Sequence, residues 1–353
     1  MIKSVQIQNL RGIQNGTVEG LSPLSILVGP NNCGKSTCLE AISIVSEGNQ
    51  AAAVIALLLR RGGPSLDALG NVVTPGAKEA EVSMTLSRSV SWVAAKTTIR
   101  HGGTQQVDWP GFAKQAGVSE PMDFLDLTWK IEDAKGAPER QGRAVAFIDD
   151  KGNRTGNLLV EGDAFKPYDS RLVDVEAVRG RSALEDAYTA VDRAGELENV
   201  VSALRTSLPD LQTLKILKSG DNFLLHLFLS SSPPVPAYVA GDGFKRFLQI
   251  AAASCEVKRG VLLLEEPESF QHPRYLGELA ELLLRMAGDE RQIVLSTHSI
   301  ELIDLLLTKA GERDLPFPTV HRLRLKAGRL GAVALGRSQA MQARETLLED
   351  LRA

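Results

Sequence analysis

Short apolar runs mark both ends of this chain, and alternation of apolar with polar positions marks its middle. Leu24-Ser25-Ile26-Leu27-Val28, Val261-Leu262-Leu263-Leu264 and Ile293-Val294-Leu295 are apolar runs of strand length, the pattern of strands buried on both faces. Residues 2–10 read as an earlier strand, Arg11-Gly12 as a turn, and the residues after it as a second extended piece. Helical spacing follows Val28: Leu39, Ile42 and Val45 share one face, predicting a helical block over roughly 37–60. Its apolar run Ala51–Leu59 ends at Arg60-Arg61, and Arg61-Gly62-Gly63-Pro64 breaks it, with a loop-rich stretch to about residue 78. From there Val82–Leu86 alternates and Thr97-Thr98-Ile99 is extended. Ala144–Ile148 and Leu158-Leu159-Val160 flank the polar turn 149–153 as a hairpin would. These features predict an antiparallel β lobe over 78–165. Residues 182–206 return to helical spacing and stop near Ser207-Leu208-Pro209-Asp210. Phe223–Leu229 is extended and Ser230–Pro234 is a breaker. Strands and helices alternate from there, with a last helix from about Ser338. There is no internal repeat, no low-complexity tract and no heptad array of coiled-coil length.

Composition changes this picture little. The 353 residues, 24% charged and 43% hydrophobic, describe an ordinary globular chain with ample length for a core. A formal charge of −3 argues against non-specific coating of nucleic acid, and 5% aromatic content against a base-stacking platform. Three cysteines, Cys33, Cys38 and Cys255, lack zinc-ligand spacing and fit a reducing cytoplasm. Cys33 is a candidate redox switch if its setting is exposed and electropositive. No apolar run reaches bilayer-spanning length and the N-terminus lacks signal-peptide organisation, so a cytoplasmic protein with no membrane partner is expected.

The chemistry concentrates in three places. Gly29-Pro30-Asn31-Asn32-Cys33-Gly34-Lys35-Ser36-Thr37 fits G-x-x-x-x-G-K-[ST] between a predicted strand and a predicted helix. Its glycines let backbone N–H groups turn inward as an anion nest, and the new helix points its positive end at the same place. Asn31, Asn32, Gly34, Lys35, Ser36 and Thr37 are therefore candidate nucleotide-binding residues. Lys35 would reach the β and γ phosphates of ATP, and Ser36 would hold Mg²⁺. At the carboxyl end of the run 261–264 stand Glu265-Glu266-Pro267-Glu268, where α/β sheets bind ligands. Glu265 is the candidate for orienting Mg²⁺ and Glu266 for polarising the attacking water. Ser296-Thr297-His298-Ser299 ends the next buried run, with His298 placed to contact a γ-phosphate or the water.

The order of these pieces resembles ABC-type ATPases of the branch that includes RecF, the SMC proteins and the OLD (overcoming lysogenization defect) proteins. Ile7-Gln8-Asn9-Leu10-Arg11-Gly12 is similar to that branch's first strand and turn, which adds Arg11 to the cofactor-binding set. Glu266-Pro267-Glu268 followed by His272-Pro273 resembles the OLD-type acidic motif and D-loop, and Ser296–Ser299 its switch histidine. Gly241-Asp242-Gly243-Phe244-Lys245-Arg246, before a helix Phe247–Ala253, occupies the place of the ABC signature. The resemblance is close over about 1–50 and 236–335 and holds only in outline between. It implies an α/β fold, an ABC-type P-loop ATPase head with a mixed central sheet, helices and an antiparallel β lobe. It also implies that Gly241 and Gly243 of one copy close over ATP held by another, giving a homodimer or a higher even-numbered assembly. Three departures stand out. Glu265 replaces the usual aspartate, which predicts slow turnover; Gln271 fills a usually apolar position; and the Q-loop glutamine has only Gln105, Gln106 and Gln141 as candidates.

Within the branch, the distance from Gly29 to Gly241 is too long for a transporter ATPase, and the lack of coiled coil excludes a chromosome-organising SMC protein. RecF carries a different acidic motif. OLD nucleases add a Toprim domain with Asp-x-Asp, a pattern this chain lacks; only some 55 residues follow His298. A stand-alone OLD-type ATPase is the expectation: one head over 1–353, with a nucleotide-binding core at 1–60 and 236–335, a β lobe and helical arm at 78–235, and a C-terminal helix at 336–353. Its expected role is an ATP-driven dimerising switch for a separate effector protein in bacterial anti-phage defence or genome maintenance. Two alternatives remain: a RecF-like ATPase clamping duplex DNA, and a non-hydrolysing ATP-bound scaffold. Two basic groups bear on DNA, Arg171, Arg179 and Arg181, and Arg322, Arg324, Lys326 and Arg329; solvated sheet faces are the plainer reading of both.

Overall fold

A computed structural model describes residues 1–47, 71–87, 94–102, 110–115, 124–133, 138–147, 157–161, 168–175, 183–206, 208–219, 222–288, 290–312, 315–346 and 349–352. The run Ala51–Leu59, the break 61–64, the turn 149–153, Gln105, Gln106, Arg179 and Arg181 lie outside these residues. In chain order the strands are β1 (Ile2–Leu10), β2 (Ile13–Glu19), β3 (Leu24–Val28), β4 (Glu79–Leu86), β5 (Ala94–Gly102), β6 (Phe124–Glu132), β7 (Pro138–Phe147) and β8 (Asn157–Glu161). They continue with β9 (Ser170–Val173), β10 (Leu211–Ser219), β11 (Asn222–Leu229), β12 (Val235–Pro236), β13 (Gly260–Glu265), β14 (Arg291–Ser296), β15 (Thr319–Lys326) and β16 (Arg329–Leu335). The helices are α1 (Lys35–Glu47), α2 (Gly111–Gln115), α3 (Ala183–Arg193), α4 (Leu197–Arg205), α5 (Asp242–Glu256), α6 (Pro273–Met286), α7 (Ile300–Glu312) and α8 (Arg337–Met341). No described helix is long and apolar enough to cross a membrane.

The chain divides into two compact units. The first comprises Met1–Ser22, Gly29–Ser170 and His321–Ala334. Its strands form a mixed sheet in the order β8-β7-β6-β5-β4-β1-β2-β16-β15. β4 to β8 pair antiparallel in succession, which is the expected β lobe, and Phe147 lies opposite Asn157 in the expected hairpin. β2 and β16 run parallel, which makes the sheet mixed. Along the centre of β1 the period-2 rule holds: Val5 and Ile7 are buried while Gln6 between them is exposed. α1 departs from the expected single apolar face, since every residue in it except Ser36 is buried. Its buried acids have partners from other parts of the chain: Glu40 pairs with Arg11 at 2.7 Å, and Glu47 accepts from Ser170 Oγ at 2.7 Å. In the lobe, buried Asp126 takes both arms of Arg143 at 2.8 and 2.9 Å, the paired state a buried charge requires.

The second unit comprises Pro23–Val28, Arg171–Val320 and Leu335–Ala353. Its strands lie in the order β3-β14-β13-β9, and β3, β14 and β13 are parallel. Their central residues are apolar, and α6 and α7 pack on one face of them: Leu262, Leu264, Ile293 and Leu295 share one core with Leu279, Leu283 and Leu284 of α6 and with Leu302, Ile303 and Leu306 of α7. A second core joins α3, α4 and α5 to the small antiparallel sheet β10-β11-β12. Three details differ from expectation. The helical block at 182–206 is two helices, because Gly195 adopts φ +74° just past α3 and ends it with its N–H on the Asp192 carbonyl. After the expected stop at Pro209-Asp210 the chain enters β10, whose alternation is weak and which is fixed by pairing with β11 from Ser219–Asn222 to Leu211–Leu229. The final helix is short and gives way to a π-type turn, Gln342–Thr346.

Candidate active site

The chain leaves β3 at Val28 and enters the glycine-rich loop directly. Gly29, Asn32 and Gly34 take φ of 146°, 60° and 95°, the left-handed backbone that turns successive N–H groups to one side. Gly29 is also required by space, since a Cβ there would lie 2.4 Å from the Leu323 carbonyl oxygen. α1 begins at Lys35, so the N–H groups of Ser36 and Thr37 belong to its first turn and lack partners within the helix. Asn31 and Asn32 are exposed, Ser36 is half-buried and Thr37 is buried. The Lys35 side chain is buried, and its Nζ donates to the Gly29 and Pro30 carbonyls at 2.8 and 3.0 Å. Cys33 is buried as well, so it lacks the exposure a reactive thiol needs, contrary to the redox-switch expectation. Burial pushes the neighbouring Cys38 thiol far above its ordinary value. Arg11, at φ 53° in the β1–β2 turn, directs its guanidinium to Glu40, one turn past Ser36.

The second group of residues lies where parallel strands end. Glu265 and Ser296 are register partners at the carboxyl ends of β13 and β14, and the Glu266 N–H continues the ladder to the Ser296 carbonyl at 2.9 Å. Glu266 then turns to φ 46°, a conformation a non-glycine residue holds only where its surroundings enforce it. That turn sets its Oε1 3.8 Å from His298 Nε2, both side chains being partly exposed. Ser269 Oγ donates to the other Glu266 oxygen at 3.3 Å. A partly exposed carboxylate facing an imidazole is an arrangement able to take a proton from water and pass it on.

Residues to which sequence reasoning gave no role hold these two in place. Glu268 is mostly buried and accepts from Thr297 Oγ1 at 2.6 Å and from the His298 N–H at 3.0 Å. Burial pushes its carboxyl above the usual range, and those hydrogen bonds pull it partly back. Arg246 is fully buried and donates to the Asp174 carbonyl and, at 2.7 Å, to that of Glu265. Burial lowers its guanidinium to about 10, opposed by the nearby acids. A charged residue on the buried side of an apolar helix was the available signal. α5 begins at Asp242 with Gly241 as its N-cap, so Gly241 and Gly243 lie at a helix N-terminus. A Cβ on Gly243 would lie 2.7 Å from the Phe270 carbonyl oxygen, and Gln271 Nε2 donates to the Gly243 carbonyl at 3.0 Å. The unusual Gln271 thus ties the acidic turn to the start of α5. Of the glutamines considered, Gln141 is exposed on β7 opposite Lys130. Among the basic residues, Arg171 pairs with Glu256 at 3.5 Å, and Arg324, Lys326 and Arg329 are exposed on the β15–β16 hairpin.

Comparison with known proteins agrees with this geometry. Residues 1–85 match the family profile "AAA ATPase domain", and residues 131–304 match "AAA domain, putative AbiEii toxin, Type IV TA system". The chain is 34% identical over 113 residues to the uncharacterized protein MJECL11 of Methanocaldococcus jannaschii, covering 32% of this chain and 98% of that protein. It is 22% identical to an ATP/GTP phosphatase of Helicobacter pylori, over 90% of this chain and 91% of that one. It is 28% identical to the DNA replication and repair protein RecF of Gloeobacter violaceus, over 39% and 34% of the two chains. Its fold is similar to that of an SMC head solved with the C-winged helix domain of ScpA, at a TM-score of 0.56 and 14% identity over 97% and 99% of the chains.

Proposed function

We propose that this chain is an ATPase of the RecF/SMC group of ABC-type ATPases, an ATP-binding and ATP-hydrolysing switch that pairs with a second copy when nucleotide is bound. The observation that carries the proposal is the Glu266–His298 pair at 3.8 Å, held where two parallel strands end, in a chain whose third parallel strand opens into an anion nest. In this reading the N–H groups of residues 31–37, together with Lys35, hold the phosphates. The Ser36 hydroxyl and the Glu265 carboxylate are hard oxygen donors of the kind Mg²⁺ accepts alongside phosphate. Mg²⁺, when bound, supplies neutralisation of phosphate charge. Glu266 takes the proton of the attacking water, and His298 steadies that carboxylate and the water. Gly241 and Gly243, at the N-terminus of α5, offer N–H groups to nucleotide held by the second copy. Arg11 holds the second turn of α1 through Glu40.

The wider role follows as part of the same proposal. A single head acting as an OLD-like stand-alone ATPase would license or restrain a separate effector, in anti-phage defence or genome maintenance. The similarity to an AbiEii-type AAA domain and to RecF supports those two settings. Steady-state ATP hydrolysis by the purified protein, with and without duplex DNA and with Glu266→Gln as the blank, is the test. Expected are slow turnover above the blank and, by light scattering, a dimer that accumulates when Glu266→Gln is given ATP. Turnover equal to the blank would leave only an ATP-bound scaffold. The exposed Arg324, Lys326 and Arg329 favour a second reading, direct DNA clamping. It requires stimulation by DNA and a salt slope that falls by about one for each phosphate-contacting charge removed.

A further inference from the structure

Both backbone groups of His298 are held by side chains. Its N–H donates to Glu268 Oε1 at 3.0 Å, and its carbonyl accepts from Arg352 Nη1 at 2.8 Å. α7 is capped by Ser299, whose Oγ accepts from the Leu302 N–H at 3.1 Å and whose carbonyl accepts from the Ile303 N–H at 3.2 Å. Arg352 is itself aimed, because its Nε and Nη2 donate to the two carboxylate oxygens of Asp350 at 2.8 and 2.7 Å. Leu351, between them, is fully buried in the core beneath α6 and α7. A third attachment lies just upstream. Arg344 forks onto both oxygens of Asp304 on α7 at 2.7 Å each, and its Nη1 donates to the Glu349 carbonyl at 2.6 Å. Residues 349–352 are thus fixed to α7, to the core and to the peptide of His298.

We propose that this segment is a brace for the histidine and that Arg352 is a positioning residue acting through the His298 carbonyl, an inference that rests on His298 working with Glu266. The His298 ring stands 3.8 Å from the Glu266 carboxylate, just outside hydrogen-bond length, in a stretch, 297–299, with no regular secondary structure. A shift of its peptide by a fraction of an ångström decides whether the two groups act together, and displacements near 1 Å cost up to about 100-fold in rate. Arg352 and Asp350 are partly exposed, so their ion pair contributes little to stability. That separates positioning from folding.

The experiment uses the full chain with Arg352→Ala, Arg352→Lys, His298→Ala and the double variant. Arg352→Ala is expected to lower kcat about tenfold or more, with KM for ATP, the affinity for a fluorescent ATP analogue and the thermal midpoint all unchanged. Arg352→Lys recovers part of the loss, because an ammonium still reaches the carbonyl without the fork onto Asp350. In the His298→Ala background, Arg352→Ala is expected to add nothing, since its effect passes through that residue. Unchanged kcat in Arg352→Ala, or an undiminished loss in the double variant, overturns the brace. If His298→Ala itself leaves turnover intact, the reading of His298 fails instead. The brace is then judged on the imidazole NMR resonance of His298, which must move in Arg352→Ala whatever the activity; an unmoved resonance overturns it.

Discussion

Lys35 shows how much a short run of sequence can specify. Its ammonium is drawn onto the carbonyls of its own loop, six and five residues back, so the group proposed to meet phosphate is set by contacts within its own loop. Replacing it removes charge-assisted hydrogen bonds, each of about 1.5–3 kcal/mol. Lys35→Ala should therefore weaken ATP binding by roughly 100-fold or more. Titration with a fluorescent ATP analogue checks this, and tight binding by the variant would refute the loop assignment. This residue could be read from sequence because its partners are local. Glu268 and Arg246 could not, since their partners lie 29–30 and 19–72 residues away along the chain. Buried charges of this kind are paired by tertiary structure, and a motif records neither the pairing nor the burial.

At the scale of elements, the turn 266–272 and the start of α5 behave as one piece. Gly243 allows the Phe270 carbonyl to approach, and Gln271 closes the contact with a hydrogen bond to the Gly243 carbonyl. Gly243→Ala places a methyl 2.7 Å from a backbone oxygen, where only main-chain movement can relieve the contact. The expected cost is about 1–3 kcal/mol of overpacking, read as a lower urea midpoint. An unaltered midpoint would show that the turn yields freely. Element type was legible wherever the pattern was strong: the apolar runs became β3, β13 and β14, and the alternation at 82–86 became β4. β10 was not legible, because its strand character comes from pairing with β11 and not from its own spacing. α1 misled in another way. One apolar face is visible in its sequence, yet the helix is buried almost all round, and its acids find partners inside the fold.

For the molecule as a whole, acid stability carries the mark of one buried group. His321 of β15 has no exposed surface, and neither ring nitrogen has a hydrogen-bond partner in the structure. Burial lowers its pKa from 6.5 to about 4. Above pH 6.5 folded and unfolded chains both carry it neutral. Between 6.5 and 4 only the unfolded chain takes up the proton, so stability falls as pH falls through that window, by about 3 kcal/mol in all. His321→Leu should remove this part of the acid sensitivity. Urea midpoints at pH 7 and pH 4.5 test it, and an equal drop in both proteins would show that His321 contributes nothing. Sequence by itself determined the α/β character, the antiparallel lobe, the glycine-rich loop and the chemical identity of Glu265, Glu266 and His298, because each is written in contiguous residues. Tertiary structure alone decided that Glu268 and Arg352 grip the two sides of the His298 peptide, that Arg246 is sealed beneath the carboxylate edge, and that Cys33 is buried. Those outcomes depend on which distant segments meet, and hydrophobic spacing fixes which face of an element is buried without naming what it is buried against.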